Sequence, residues 1–407
     1  MRIKGSRRRD PQDSWAGGIN RGDKPASSKR VVVYALATGA ALAALAGCGA
    51  GGTTPSAGPA SHKSTADPKP LLTKKPAVAW RASAPSKILP GDILIADSSN
   101  NRILLVTPQK KIVWQYPKPG QKSQIRDDDD VFFGPHWDSI ITNQEGNNII
   151  SIINFRSRKV VWNYGHAGIA GSAPGYLNTP DDAFLFAKPG GDVITVADIR
   201  NDRILFISRK THRIIKQYGT TATPVINPPI SYSAPNGDFP APHGGMLVTQ
   251  INGNDAIMLN QHNQVQYTVH FPTQFSYPSD ANITPDGNII VAFYTDPGAI
   301  VEMSPAGQVL WSYHVTSGPG MLNHPSLAVM LPNGLVLLND DYNDRVIVIN
   351  PRTNKIVWQY GHTGKPGSAP GYLNDPDGVD LLPVGIIPGA KNNPIGHHLD
   401  SFPGNGL

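Results

Sequence analysis

From about residue 84 onward, short apolar segments alternate with turns rich in Gly, Pro, Asn and Asp, and the apolar spacing of an amphipathic helix is missing. Within the segments apolar and polar positions alternate, so each predicts a short strand with one face buried. The most regular segment carries aromatic residues at alternate positions. It reads "KIVWQYP" from Lys111, "KVVWNYG" from Lys159, "RIIKQYG" from Arg213, "QVQYTVH" from Gln264, "QVLWSYH" from Gln308 and "KIVWQYG" from Lys355. With Trp114, Trp162, Lys216, Tyr267, Trp311 and Trp358 aligned, the steps are 48, 54, 51, 44 and 47 residues. Repeats of that length with about four strands apiece predict an all-β chain, a six-bladed β-propeller with four-stranded antiparallel blades. The alternate aromatics share one face of the last strand, where they fill space between neighbouring sheets.

The phrase "GSAPGYLN" occurs twice, from Gly171 and from Gly367, each time where the last strand of one blade crosses to the first strand of the next. The second copy runs into "DPDGVDLLP" from Asp375, which reads as an inner strand whose partners lie at the other end of the sequence, in "GDILIADSSNNRILLVTPQKKIVWQYP" from Gly91. The ring is therefore predicted to close by pairing N- and C-terminal strands in one blade, which removes two open sheet edges. "APSKILPGD" from Ala84 is a second candidate for that inner strand. The propeller spans residues 84–385, and residues 386–407 form a C-terminal tail.

The middle hairpins share a second signature. "ADSSNNRILLV" from Ala96, "ADIRNDRILFI" from Ala197 and "NDDYNDRVIVI" from Asn339 each place Asn three residues and Arg five residues after an Asp. This pattern resembles the NHL repeat, and the resemblance implies an NHL-type propeller. A fainter likeness to the repeats of quinoprotein (PQQ-type) propellers lies in "RVIVINPRTNKIVWQYG" from Arg345. Local chemistry gives the signature a structural role: Asp97, Asp198 and Asp340 can accept backbone N–H bonds, Asn100, Asn201 and Asn343 tolerate positive φ, and the Arg can pair with a carboxylate. Blades 2, 4 and 5 depart from it, with "TNQEGNNIISI", "TQINGNDAIML" and "AFYTDPGAIVEM".

Upstream, Lys29 and Arg30 precede an apolar run from Val31 to Ala46, short for a membrane span and suited to a secretory signal core. Leu45-Ala46-Gly47-Cys48 resembles the lipobox of bacterial lipoproteins, which implies a signal peptide over residues 1–47, a lipid anchor on Cys48 and an extracytoplasmic location at the cell membrane. As Cys48 is the sole cysteine, no intramolecular disulfide can form. Residues 48–83, rich in Gly, Pro, Ser and Lys, read as a disordered tether. The net charge of +6 is concentrated here: residues 1–80 hold 13 Lys/Arg and 4 Asp/Glu, or +9, leaving 23 minus 26, or −3, for the rest. The folded part thus gives no support for nucleic-acid binding.

Inner strands line a propeller's channel, so their polar residues are the candidates for chemistry. The Pro-led segments offer His136 and Asp138, Asp181 and Asp182, His243, Asp280, His324, and Asp377. His136, His243 and His324, on alternate blades, are a candidate divalent metal site with acidic neighbours. The run Asp127–Asp130 reads as a solvated loop, because contiguous carboxylates cannot all face one ion. No phosphate loop, Cys-based zinc motif or nucleophile elbow occurs. The expected function is a binding or scaffolding module for a protein, peptide or glycan, the last using Trp137, Phe293 and Tyr294. The alternative is a channel-mouth enzyme. Resemblance to six-bladed propellers implies a metal-dependent lyase or lactonase, and "LPNGLVLLND" with "KIVWQYG" resembles arylsulfotransferases.

Overall fold

The computed structural model of the chain describes residues 88–391 and 393–396. The run Val31–Ala46, Cys48, the tether over 48–83 and the last residues of the tail lie outside this range. No helix among the described residues is long and apolar enough to cross a membrane.

Twenty-four strands form six four-stranded antiparallel sheets arranged as blades around a ring. Blade 1 holds β1 (Gly91–Asp97), β2 (Arg102–Val106) and β3 (Ile112–Tyr116); blade 2 holds β4 (Asp128–Phe133), β5 (Ser139–Gln144), β6 (Ile149–Asn154) and β7 (Lys159–Gly165). Blade 3 follows with β8 (Pro180–Phe186), β9 (Val193–Asp198), β10 (Arg203–Ser208) and β11 (Arg213–Tyr218). Blade 4 comprises β12 (Pro235–Ala241), β13 (Gly245–Gln250), β14 (Asp255–Leu259) and β15 (Val265–His270). Blade 5 comprises β16 (Pro278–Ile283), β17 (Ile289–Phe293), β18 (Ala299–Met303) and β19 (Val309–Tyr313). Blade 6 comprises β20 (Ala328–Met330), β21 (Val336–Asp340), β22 (Arg345–Asn350) and β23 (Lys355–Gly361), and β24 (Pro376–Pro383) ends the series. β24 pairs antiparallel with β1, from Gly91 opposite Pro383 to Asp97 opposite Pro376, and completes blade 1 as its inner strand. The ring closes as the C-terminal alternative predicted. Ile88 and Leu89, the described part of the competing segment, pack against the core instead.

The Asp-x-x-Asn-x-Arg turns clamp the crossings. Asp198 Oδ2 accepts from Asn201 Nδ2 at 2.8 Å and from Arg203 Nε at 2.8 Å, while Oδ1 accepts the backbone N–H of Asn178 at 2.7 Å. Asn201 then donates to the Gly171 carbonyl of the first "GSAPGYLN" at 2.9 Å. In blade 1, Asn100 reaches the Gly367 carbonyl and Arg102 the Ser368 and Tyr372 carbonyls of the second copy. Blade 6 repeats the arrangement, with Asn343 and Arg345 on the Met321 carbonyl. What the two copies of the repeated phrase share is the carbonyl of their first glycine, Gly171 or Gly367, which accepts from the Asn of the facing turn. The left-handed residue of each turn is the one after the expected Asn: Asn101, Asp202 and Asp344 take φ of 52°, 55° and 55°. That residue caps a single 3-10 turn, where the chain must reverse, whereas the Asn lies within the turn. In blade 2 Gln144 replaces the Asp, its Oε1 accepting from Arg126 N–H and Asn147 Nδ2 at 3.0 and 2.9 Å.

The aromatic strands staple each blade to the next. Trp114, Trp162 and Trp358 donate from Nε1 to the carbonyls of Phe155, Arg209 and Pro108 at 2.8 to 2.9 Å, each in the following blade. Trp311 reaches Asn354 Oδ1 at 2.7 Å, and Lys216 substitutes for a Trp by reaching the Gln261 carbonyl.

Candidate functional site

Inner strands β4, β8, β12, β16 and β24 each carry one residue more than their partner near their first residues: the register shifts between Asp128 and Val131, Asp181 and Phe184, Pro235 and Gly237, and Pro278 and Ala281, and on β24 opposite Ala96 and Asp97. A bulge breaks strict alternation and re-aims neighbouring side chains. The bulged residues are those of "DDD", "PDD", "PNG", "PSD" and "PDG", so the device recurs around the ring and gathers carboxylates at one end of the channel. Asp182 sits at φ 47°, in the left-handed region.

Oxygens of Asp129, Asp130 and Asp181 lie within 4.8 Å of one another, and so do oxygens of Asp130, Asp182 and Asp280. Asp377 lies against Asp129 and accepts the Ser326 hydroxyl at 2.9 Å. Asn143 Nδ2 donates to Asp129 Oδ2 at 2.8 Å and Asp181 Oδ1 at 3.2 Å, and Asn236 Nδ2 donates to Asp280 Oδ1 at 3.3 Å. Neither oxygen of Asp182 receives a hydrogen bond, nor does Asp130 Oδ1. Burial, followed by the charges of neighbouring aspartates, holds Asp129, Asp130, Asp182 and Asp280 well above the usual carboxylate range. Two residues, or about 7 Å, further along the strands, Phe132, Phe184 and Phe239 pack together, with ring centroids 4.3 to 5.9 Å apart. This apolar layer underlies the carboxylates.

The turns between second and third strands project at the same end, because the inner strand and the second strand run antiparallel. They bring Glu145, Tyr294, Asp341 and Tyr342 to the mouth. Half-buried Glu145 is raised to about 8 by burial and by Asp181 and Asp377, against the pull of Arg200. Tyr294, His324 and Tyr342 form one aromatic group, His324 lying 4.7 Å from Tyr294 and 4.5 Å from Tyr342 between ring centroids. Burial, then Asp341 and Asp377, pushes the Tyr294 hydroxyl up.

The structure gathers the predicted Asp181, Asp182, Asp280 and Asp377 with Asp129 and Asp130, and does not bring the three histidines together. His324 precedes β20 at the acidic end and is buried, whereas His136 follows β4 and His243 follows β12, both exposed and at the opposite end. Asp138 lies there too. The reason is one of alignment: "GPHW" and "APHGG" are turns after inner strands, while "TPDD", "YPSD" and "DPDG" open them. No metal is expected from this imidazole trio. The run at Asp127 is likewise corrected, as Asp128–Asp130 begin β4 and are buried. Trp137 and Phe293, 3% and 0% exposed, present no surface to a glycan. Sequence reasoning missed Asp128, Asp129, Asp130, Glu145, Asp238 and Asp341; the available signal was that "DDDVFF" lies one strand ahead of the hairpin "IITNQEGNNII".

No protein-family model matches the sequence, and no curated protein matches it. Among solved structures, a protein of unknown function from Bacteroides caccae is similar at TM-score 0.50 and 17% identity, over 71% of this chain and 98% of that one. Virginiamycin B lyase from Staphylococcus aureus is similar at TM-score 0.40 and 17% identity, over 60% of this chain and 71% of that one. At such identities the likeness speaks to the fold alone.

Proposed function

We propose that the chain is an extracytoplasmic binding module, tethered to the membrane by a lipid on Cys48, that receives a positively charged ligand at the acidic end of the propeller channel. The supporting observation is the company of Glu145, Asp341 and Asp377 with the rings of Tyr294, His324 and Tyr342 at one mouth. Carboxylates and aromatic faces together favour an ammonium or guanidinium group. The test is titration of the detergent-solubilised full chain, in chelator, with a short lysine-containing peptide and its acetylated counterpart. The lysine peptide should bind more tightly as pH rises through about 8, because a cation favours ionised Glu145. Glu145→Gln should flatten that dependence, and the acetylated peptide should bind at least about tenfold more weakly. Equal binding of the two peptides overturns the ligand class.

The anchor is tested separately. Cys48→Ala should yield a folded protein that no longer fractionates with membranes after a high-salt wash, since the acyl chains supply the attachment. Retention on the membrane overturns it. A second reading, a channel-mouth enzyme, is favoured by Glu145, because a carboxyl raised to about 8 exchanges a proton near neutral pH.

A further inference from the structure

We propose that Asp130, Asp182 and Asp280, contributed by blades 2, 3 and 5, hold a hard divalent cation in the channel, calcium by size. Their converging oxygens lie within 4.8 Å of one another, a span that two calcium–oxygen bonds of about 2.4 Å can cover. The donor set is all carboxylate, with no imidazole or thiolate, which suits calcium or magnesium rather than zinc or copper.

Convergence alone would not make a site. The deciding observation is Asp182, which is fully buried and whose two oxygens receive no N–H or O–H donor. A buried carboxylate left in that state costs far more than one that is paired. Asp130 Oδ1 is in the same condition. In the neighbouring triad of Asp129, Asp130 and Asp181, Asn143 donates to two of the three carboxylates, whereas here Asn236 reaches Asp280 alone and at 3.3 Å. The backbone is also shaped around Asp182. A bulge places it in the left-handed region at φ 47°, and Gly237 of the next blade leaves it room: a Cβ on Gly237 would stand 3.0 Å from Asp182 Oδ2. The phenylalanine layer beneath restricts water that would otherwise screen three like charges. A divalent cation supplies the missing partner of Asp182 and of Asp130 Oδ1, and offsets the repulsion among the three carboxylates. The site stands whether or not the mouth takes a charged peptide.

The test uses the detergent-solubilised full chain, stripped with chelator and dialysed, and titrated calorimetrically with calcium chloride and, in parallel, magnesium chloride. One calcium per chain is expected, and the thermal midpoint should rise by about 5 °C at a hundredfold excess over Kd. Asp182→Asn keeps the shape and removes the charge, so it should lose at least about tenfold in calcium affinity and most of the shift. In chelator the same variant should melt at or above the wild type, because one unpaired buried carboxylate is gone. Should Asp182→Asn fail to fold, Asp280→Asn is read in the same way. Silence of the wild type toward calcium, whether or not magnesium binds, overturns the assignment, as does calcium binding that is unchanged in the variant.

Discussion

At the residue scale, the side chains most plainly dictated by their neighbours are the arginines of the repeated turns. Arg345 is 1% exposed and divides its fork between Asp340, the Pro319 and Met321 carbonyls and Thr363. Replacing it by Met leaves Asp340 buried without its countercharge, so Arg345→Met should cost about 3 to 5 kcal/mol in denaturant unfolding. Arg345→Lys should recover only part of this, because a point charge cannot serve carboxylate and carbonyls together. A loss below about 1 kcal/mol would show that the fork is dispensable. These turns were legible because Asp, Asn and Arg at fixed offsets encode a hydrogen-bond pattern around the Asp that lies within the turn itself, whatever distant carbonyls the Asn and Arg also reach. The acidic site was not. Asp181, Asp280 and Asp377 could be read from their Pro-led segments, but Asp128–Asp130 looked like a solvated charge run, since a bulge leaves no trace in the identity of the residues it re-aims. His136 and His243 were misplaced for a related reason: Pro opens an inner strand in some blades and follows it in others, and residue type does not say which.

At the element scale, β24 carries the ring's closure. It pairs with β1 along its whole length and also supplies Asp377 to the acidic end and Asp380, whose Oδ2 accepts the Phe133 N–H at 2.8 Å in blade 2. Deleting residues 376–407 exposes the edge of β1 and removes the contact to β4. The truncated protein should therefore melt at lower temperature throughout, rather than fray at one end, because each blade is held by two neighbours. Scanning calorimetry decides this. A midpoint within about two degrees of the intact protein would mean that the ring tolerates an open blade. The closing strand could be found in the sequence because an inner-strand pattern stood alone at the C-terminus, with its three missing partners at the other end.

At the scale of the whole molecule, buried carboxyl groups set how stability follows pH. Asp238 and Asp341 are held well above the usual range by burial first and nearby aspartates second. In the unfolded chain such groups titrate near about 4. Below that value both states are protonated and the native state carries no penalty. As pH rises toward the raised native values, the unfolded chain releases protons that the native state retains, and stability is lost. In chelator, the melting temperature should thus be higher near pH 5.5 than near pH 8, and a lower midpoint at the acidic pH would show that these carboxyl groups are ionised and satisfied in the native state.

The antiparallel pairing of β1 with β24 also fixes the molecule's compass. Pro383 faces Gly91 at the end where the inner strands finish, so the chain enters the propeller on the side away from the acidic mouth. A bulky label joined ahead of Ile88 should therefore leave that mouth open, so that a ligand reaches the acidic end from solvent without meeting the label.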